Sequence, residues 1–141
     1  MNVSVRAMQP SDYEEVVALW NSTEGIGLNE SDGEAATVEY LRRNPDMSAV
    51  ALSDGRIVGA VLCGHDGRRG YLHHLAVAAT HRGNGLATRL LRHCFDHLAA
   101  ARIPKCNIFL FEDNAAGAAF WVHNGWAPRN DLRVLQKPVT A

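Results

Sequence analysis

Residues 71–91 read YLHHLAVAATHRGNGLATRLL and join a predicted strand to a predicted helix through a glycine-containing turn. The apolar residues of 71–77 predict a buried strand, and Leu86, Leu90 and Leu91 follow the spacing of one helix face. The turn contains Gly83 and Gly85, which leave backbone N–H groups uncovered by side chains. The first N–H groups of a helix lack intrahelical partners and lie at the positive end of its dipole. The stretch therefore predicts an anion site, best suited to phosphate.

The residues after the glycines argue against the common nucleotide-binding loops. A Walker-type loop continues with Lys and then Ser or Thr, whereas Leu86 and Ala87 follow Gly85 here. The dinucleotide fingerprint needs a third glycine and an acidic residue about 20 positions further on. No Asp or Glu lies between Asp96 and Glu112. A protein with affinity for ATP or NAD is therefore the weaker interpretation.

Two motifs instead resemble those of the GNAT superfamily, the acetyl-CoA-dependent N-acyltransferases. Arg82-x-x-Gly85-x-Ala87, directly after Leu75-Ala76-Val77, is similar to the pyrophosphate-binding motif of that family. A second family motif is matched, after the next predicted strand, by Asn114, Gly117, Phe120-Trp121 and Gly125-Trp126. One helix and one strand separate the two motifs, as in the family, and the resemblance covers about residues 2–135.

This resemblance implies a single N-acetyltransferase domain over residues 1–141, of the α/β class with an α+β-type mixed sheet in the order βααβββαβαβ. In the family, two central strands splay apart and the pantetheine of acetyl-CoA lies between them. Acetyl-CoA is therefore the implied cofactor. Its implied binding residues are Leu75, Ala76, Val77, Arg82, Gly83, Asn84, Gly85, Leu86, Ala87, Asn114 and Trp121.

The pattern of apolar residues predicts the same order of elements. Helices are expected after the capping boxes at Ser11 and Ser31, from Leu86 to about Ala101, and over 115–124. Strands are expected over 2–8, 47–53, 56–64, 71–77, 105–111 and 126–135. The last strand and the 47–64 hairpin are the expected edges through which a homodimer could form.

Composition limits the kinds of partner. The chain has 141 residues and a formal charge of −1, which gives no general attraction to nucleic acid or to a membrane surface. No apolar stretch reaches the roughly 18 residues of a membrane helix. Cys63, Cys94 and Cys106 are odd in number and lie in apolar segments, which indicates reduced thiols. We expect a soluble cytoplasmic protein that binds a small-molecule or peptide amine, and neither nucleic acid nor membrane.

One position departs from the family. The usual family Tyr that protonates the leaving thiolate is replaced by Trp121, seven residues after Asn114. An indole N–H donates a hydrogen bond but is no proton source near neutral pH. Three explanations are open: the thiolate leaves unprotonated, a residue such as Tyr40 or Tyr71 protonates it, or the chain binds CoA without catalysis.

The candidates for the general base are Glu24, Glu30, Asp32, His73, His74 and Glu112. His73 and His74 lie on the motif strand, where alternation lets only one of them face the cleft unless a bulge intervenes. Glu112 follows the other splayed strand. We predict His74, Glu112 and Tyr71 as catalytic residues.

The loop between the first two helices occupies the place where the family builds its acceptor wall. We predict that it contacts the substrate through Glu24, Asn29, Glu30 and Asp32. Its carboxylates suit a cationic amine, although Asp32 and Glu34 also fit a plain helix start. His93 and His97 are four apart on one helix, but no further ligand stands near them in sequence, so no metal is predicted.

The predicted function is transfer of an acetyl group from acetyl-CoA to a primary amine of a small molecule or of a peptide or protein terminus. Transfer is expected to be direct, within a ternary complex, because no cysteine stands at the motif as a nucleophile. The alternative is a catalytically silent module that binds or senses CoA.

Overall fold

The computed structural model describes residues 2–140, and the chain divides after Phe109 into two compact units. The strands of the first unit are β1 (Val3–Ala7), β2 (Ala49–Ser53), β3 (Arg56–His65), β4 (Gly70–Val77) and β5 (Cys106–Ile108). Its α-helices are α1 (Tyr13–Asn21), α2 (Glu34–Arg43) and α3 (Leu86–Ala100), and the second unit contains α4 (Ala115–His123).

The strands form one mixed sheet in the order β1-β2-β3-β4-β5. Neighbouring strands are antiparallel from β1 to β4, whereas β4 and β5 run parallel. A parallel neighbour needs a crossover, and α3 supplies it between β4 and β5. The prediction of an α/β fold with a mixed sheet is confirmed.

The two faces of the sheet carry separate sets of apolar side chains. On one face, a core cluster consists of Met8, Val16, Leu19, Trp20, Leu41, Val50, Ala60, Leu62 and Ala76. On the other face, α3 buries a side chain every four residues, which is the spacing of one helix face. These side chains are Leu86, Leu90, Cys94 and Leu98. Gly59 lets α3 approach the sheet, because a Cβ there would lie 3.0 Å from Leu90 Cδ1.

Strand β4 contains a β-bulge in its middle. Ala60 pairs with Ala76 and Leu62 pairs with His73, so a single β3 residue, Val61, stands opposite two β4 residues. One of them, His74, has a φ of +56°, in the left-handed region that only a few per cent of non-glycine residues adopt. The extra residue shifts the alternation of side chains along β4.

Strand β4 also loses its parallel neighbour halfway along. The pairing with β5 covers Gly70, Tyr71 and Leu72, and β5 ends at Ile108. From His73 to Val77, that edge of β4 pairs with no strand in the part of the chain that the structure describes. This is the separation of the two central strands that the sequence analysis predicted.

The predicted final strand over 126–135 is wrong: residues 2–140 contain no strand after α4. Its aliphatic side chains lie in solvent, with Leu132 60% and Leu135 89% exposed. Arg129 instead forms a local turn with Leu132 and an ion pair with Asp131. Alternating side chains supply an apolar face, but a strand also needs a neighbour for its backbone hydrogen bonds.

Two smaller predictions are also corrected. Strands β2 and β3 pair on both sides, so the 47–64 hairpin offers no free edge, and β1 and β5 are the edge strands. The capping boxes begin upstream of the two serines: Asp12 accepts from Gln9 N at 2.8 Å, and Asp32 accepts from Asn29 N at 2.9 Å. Each closes a 3₁₀ turn that precedes the α-helix.

Truncation of α3 tests its packing. Leu90 is fully buried, so Leu90→Ala should lower the free energy of unfolding by about 2–5 kcal/mol. Leu91→Ala is the matched control and should cost less, because Leu91 is only half-buried. Urea denaturation gives both values, and equal losses would contradict this orientation of the helix.

Candidate active site

The predicted anion loop is an open turn between β4 and α3. Gly83 and Gly85 have φ values of +81° and +74°, and a Cβ at either position would meet nothing within 4 Å. Leu86 is buried and fixes the start of α3. Arg82 Nε donates to the carbonyl oxygen of Val77 at 3.0 Å, which ties the loop to the end of β4. The backbone from Gly83 to Ala87 is therefore positioned, and sterically open, for an anion.

Residues 75–77, predicted to bind the cofactor, lie on the unpaired edge of β4. They follow the bulge and come after the last residue paired with β5. Main-chain groups on such an edge are free to pair with the amides of a ligand, as an added strand would. The loop and this edge are contiguous in sequence, so one extended ligand would meet both.

His74 forms a hydrogen-bonded pair with Asp32. The distance from His74 Nε2 to Asp32 Oδ1 is 2.9 Å, and the two side chains are 15% and 7% exposed. The other Asp32 oxygen accepts from Asn29 N at 2.9 Å. His74 Nδ1 has no hydrogen-bond partner among residues 2–140. A carboxylate that accepts from Nε2–H leaves the Nδ1 lone pair available to accept a proton.

Trp20 holds the bulge from the core side. Its Nε1 donates to the carbonyl oxygen of His74 at 3.0 Å, and its ring contacts the His74 ring edge to face at 5.0 Å. Trp20 is itself 1% exposed, so the indole has little freedom to move. The unusual backbone at His74 is therefore fixed by a buried hydrogen bond as well as by the Asp32 pair.

His73 lies on the same side of the sheet as His74, with the two ring centroids 6.4 Å apart. The prediction that only one of them can face the cleft depended on regular alternation, which the bulge interrupts. Burial, and then the neighbouring His74, lower the pKa of His73 below its ordinary value. Burial therefore favours the neutral form of the His73 imidazole.

Beside His73 lies an open cavity of about 420 Å³. It is lined by Tyr40, Arg43, Asn44, Gly64, His65, Asp66, Tyr71, His73 and Phe109. A Cβ at Gly64 would lie 2.5 Å from the Tyr40 hydroxyl, so only glycine leaves room for that ring. The volume falls within the range of about 300–1,000 Å³ that small-molecule sites occupy.

Tyr40 and Tyr71, the two tyrosines proposed as proton donors, both line this cavity. The Tyr40 hydroxyl is buried and has no hydrogen-bond partner within the described residues, and burial raises the pKa of Tyr40 above its ordinary value. Tyr71 is half-buried and packs against Phe109 with ring centroids 5.9 Å apart. Because the Tyr40 hydroxyl is buried and holds its proton more strongly, Tyr71 stays the candidate of the two.

The acidic loop does not form the carboxylate cluster suggested by its sequence. Asp32 is buried against His74, and Asn29 Oδ1 accepts from Ser31 N at 2.8 Å in the turn before α2. Glu24 and Glu30 are exposed. Asp32 thus contacts the predicted catalytic residue His74, whereas the carboxylates of Glu24 and Glu30 lie in solvent.

The remaining predicted residues belong to the second unit. Asn114 Oδ1 accepts from Gly117 N at 2.9 Å and caps α4, and a Cβ at Gly117 would collide with that asparagine at 2.5 Å. Trp121 packs edge to face against Phe120 and Trp126, with centroids 5.2 Å and 4.9 Å apart. Glu112 precedes the helix and is exposed. Their assignment to the active site stays a prediction.

Trp20, Arg43 and Phe109 were missed by the sequence analysis. Trp20 carried the ordinary signal of a core position on α1, and nothing near it in sequence indicates a hydrogen bond to residue 74. Arg43 and Phe109 stand at the ends of α2 and β5, where the chain leaves regular structure. A search for polar or aromatic residues at element ends would have found these last two.

Residues 2–140 contain neither a membrane-spanning helix nor a cluster of metal ligands. No helix there is long and apolar enough to cross a membrane, and no group of three or more His, Cys, Asp or Glu side chains is arranged to hold a metal ion. His93 and His97 stack at 4.4 Å, and each has a ring nitrogen at hydrogen-bond distance from a backbone carbonyl oxygen. The three cysteines are free thiols.

The lowered pKa of His73 predicts a pH dependence of stability. As the pH falls below about 6.5, the unfolded chain takes up a proton at residue 73 before the folded chain does. The free energy of unfolding should therefore decrease between about pH 7 and pH 5, and less so in His73→Gln. Urea denaturation across this range tests it, and equal decreases in both proteins would contradict burial of a neutral imidazole.

Comparison with known proteins identifies the family of this chain. The Acetyltransferase (GNAT) family model matches residues 13–126. An acetyltransferase of Yersinia enterocolitica is 37% identical over 114 residues, which are 81% of this chain and 80% of that protein. An acetyltransferase of Sodalis glossinidius is 32% identical over 135 residues, 96% of this chain and 94% of its own length.

A solved structure shows the same fold at low sequence identity. The PaiA N-acetyltransferase from Thermoplasma acidophilum, in complex with coenzyme A, superimposes with a TM-score of 0.78 at 15% identity and covers 89% of each chain. The family resemblance found in the sequence motifs is confirmed. The chain belongs to the GNAT family of acetyltransferases.

Proposed function

We propose that this acetyltransferase moves an acetyl group from acetyl-CoA directly to a primary amine of a small molecule or peptide terminus, within a ternary complex. One observation carries the proposal: the His74–Asp32 pair lies at the bulge of β4, between the anion loop and the aromatic cavity. The anion loop follows the end of β4. Tyr71 and His73, in the first half of β4, line the cavity. The donor and the acceptor would thus approach the histidine from opposite ends of one strand.

The donor would be held by main-chain groups. The backbone of 83–87 would bind its pyrophosphate, with Arg82 nearby, and the unpaired edge of residues 75–77 would pair with its amides. When bound, acetyl-CoA supplies the acetyl group as a reactive thioester. Backbone N–H groups at the bulge are the candidate donors to the carbonyl oxygen during transfer.

His74 would take the proton that the amine must lose. A free alkyl ammonium has a pKa near 10 and no lone pair for attack. With Nε2–H bonded to Asp32, the Nδ1 atom of His74 accepts that proton, and the Asp32 carboxylate stabilises the resulting imidazolium. Asp32 thus acts as a positioning residue for His74, instead of the substrate contact assigned from sequence.

The bonds and protons of the step then balance. The amine nitrogen forms a bond to the acetyl carbon, the C–S bond breaks, and the electron pair leaves with sulfur. A thiol of pKa about 8.5 is a fair leaving group, and Tyr71 is our candidate for returning a proton to it. Proton uptake from solvent is the alternative that needs no residue of the chain.

Several wider predictions accompany this function. We infer one acetyltransferase domain over residues 1–141 and a cytoplasmic location, where free thiols such as those of Cys63 and Cys94 persist. A homodimer, if it forms through a sheet edge, would use β1 or β5. Glu112, Asn114 and Trp121 keep their predicted roles in catalysis and cofactor binding.

Substitution of the histidine–carboxylate pair tests the proposed base. His74→Gln should lower kcat by about 10²–10⁴-fold while the affinity for acetyl-CoA, measured by calorimetry, stays unchanged. Asp32→Asn should also lower kcat and shift the pH–rate profile to lower apparent pKa, because the imidazolium loses its stabilising charge. A merely structural role of Asp32 would lower activity without moving that profile.

Glu30→Gln is the matched control, since Glu30 is an exposed carboxylate two residues from Asp32. Its turnover and pH profile should equal those of the unmodified protein. Full activity in His74→Gln would overturn the assignment of the base. Turnover absent from the unmodified protein with every amine tested would overturn the proposed function.

A glycine pair tests the anion loop. Gly85→Ala and Gly55→Ala each place a side chain at positive φ, +74° and +81°, in open space, so each should cost about 1–2 kcal/mol of stability. Only Gly85→Ala should also weaken CoA binding, by about tenfold or about 1.4 kcal/mol. Equal CoA affinities of the two variants, by calorimetry, would place the pyrophosphate elsewhere.

A further inference from the structure

The cavity beside His73 has a composition that selects among amines. The inference rests on the proposed function, because it concerns the acceptor of the same reaction. We propose that the cavity binds an acceptor amine that carries a carboxylate next to an aromatic or other apolar body, as an aromatic amino acid does. Three properties of the cavity support this: its aromatic wall, an arginine without an ion-pair partner, and its size.

Four rings form a continuous wall. Tyr40 contacts His73 at 6.1 Å between centroids, His73 contacts Phe109 at 6.3 Å, and Phe109 contacts Tyr71 at 5.9 Å. Phe109 is 61% exposed, so part of its ring is open to a ligand. Aromatic faces bind flat or apolar groups by burial and by edge-to-face contact. The wall therefore favours an acceptor with an apolar body.

The cavity lining carries one guanidinium, that of Arg43, and one carboxylate, that of Asp66. Arg43 has no ion-pair partner within residues 2–140, whereas its neighbour Arg42 is paired with Glu39. Asp66 is the one carboxylate of the lining, and its Oδ1 already accepts from the backbone N–H groups of Arg68 and Arg69 at 2.8 Å. An unpaired guanidinium is suited to bind a carboxylate through two parallel hydrogen bonds.

An arginine without an ion-pair partner in the lining argues against the cationic acceptor that the acidic loop suggested. Glu24 and Glu30 are exposed and are not part of the lining, and Asp32 is engaged by His74. A polyamine would therefore meet Arg43 without a compensating cluster of carboxylates. A volume of about 420 Å³ also suits an acceptor the size of one amino acid.

The placement of the cavity fits the chemistry. His73 forms part of the wall, and its ring centroid lies 6.4 Å from that of His74. An amine at the His73 end of the cavity would be near the proposed base. Arg43, at the end of α2, would hold the carboxylate away from it.

Paired acceptors test the inference in thiol-release assays with acetyl-CoA: phenylalanine, its decarboxylated analogue phenethylamine, alanine and spermidine. Phenylalanine should be acetylated with the highest kcat/KM. Arg43→Gln should lower kcat/KM for phenylalanine by about 10–100-fold, as expected for loss of a charged hydrogen bond, and leave phenethylamine unchanged. Arg42→Gln is the matched control, since Arg42 is the adjacent arginine paired with Glu39, and it should leave both acceptors unchanged.

The outcomes separate this inference from the proposed function. Preference for phenethylamine, alanine or spermidine over phenylalanine, or equal effects of Arg43→Gln on phenylalanine and phenethylamine, would overturn the inference while the acetyltransferase function stands. If no amine is acetylated, the proposed function fails. Calorimetry then tests the cavity directly: binding of phenylalanine that is lost in Arg43→Gln supports the inference, and absence of binding overturns it.

Discussion

The bulge at His74 is the constraint on which the rest of the site depends. A non-glycine residue in the left-handed region costs roughly 1–2 kcal/mol, so other contacts must hold it there. Trp20 donates a buried hydrogen bond to the His74 carbonyl oxygen, and the Asp32 carboxylate forms a hydrogen bond with the His74 imidazole. Because both contacts come from the α1 and α2 side of the sheet, the packing of these helices also sets the orientation of the proposed base. The extra residue of the bulge also places the side chains of His73 and His74 on the same side of the sheet.

Strand β4 connects two sites with different chemistry. Beyond its last residue, the anion loop offers backbone N–H groups and a helix start, which bind phosphate without side-chain specificity. Near its beginning, rings and an unpaired arginine offer contacts that depend on the shape and charge of the ligand. The first site suits a cofactor shared by a whole family. The second would suit an acceptor that differs between family members, which accounts for motifs that point to a cofactor and say little about an acceptor.

Much of the fold and part of the site were predictable from sequence. The strand–turn–helix of 71–91, the two loop glycines and the cap at Asn114 depend on interactions within a few residues, so the local pattern contains them. The absence of a strand over 126–135 was not predictable, since alternation of apolar residues does not specify a partner strand. The contact between Asp32 and His74 was not predictable for a related reason: a carboxylate in a loop looks the same in sequence whether it contacts solvent or a buried histidine.

The sequence by itself determined the family, the order of elements through α4 and the strand–turn–helix that contains the two loop glycines. Only the tertiary structure decided the contact between Asp32 and His74, the side of the sheet on which His73 and His74 lie, and the aromatic lining of the cavity. Asp32 and His74 are 42 residues apart, and Trp20 and His74 are 54 apart. Contacts across such separations depend on how helices pack on the sheet and on where a strand bulges. Neither is encoded in a short window of residues, because each results from the balance of packing over the whole first unit.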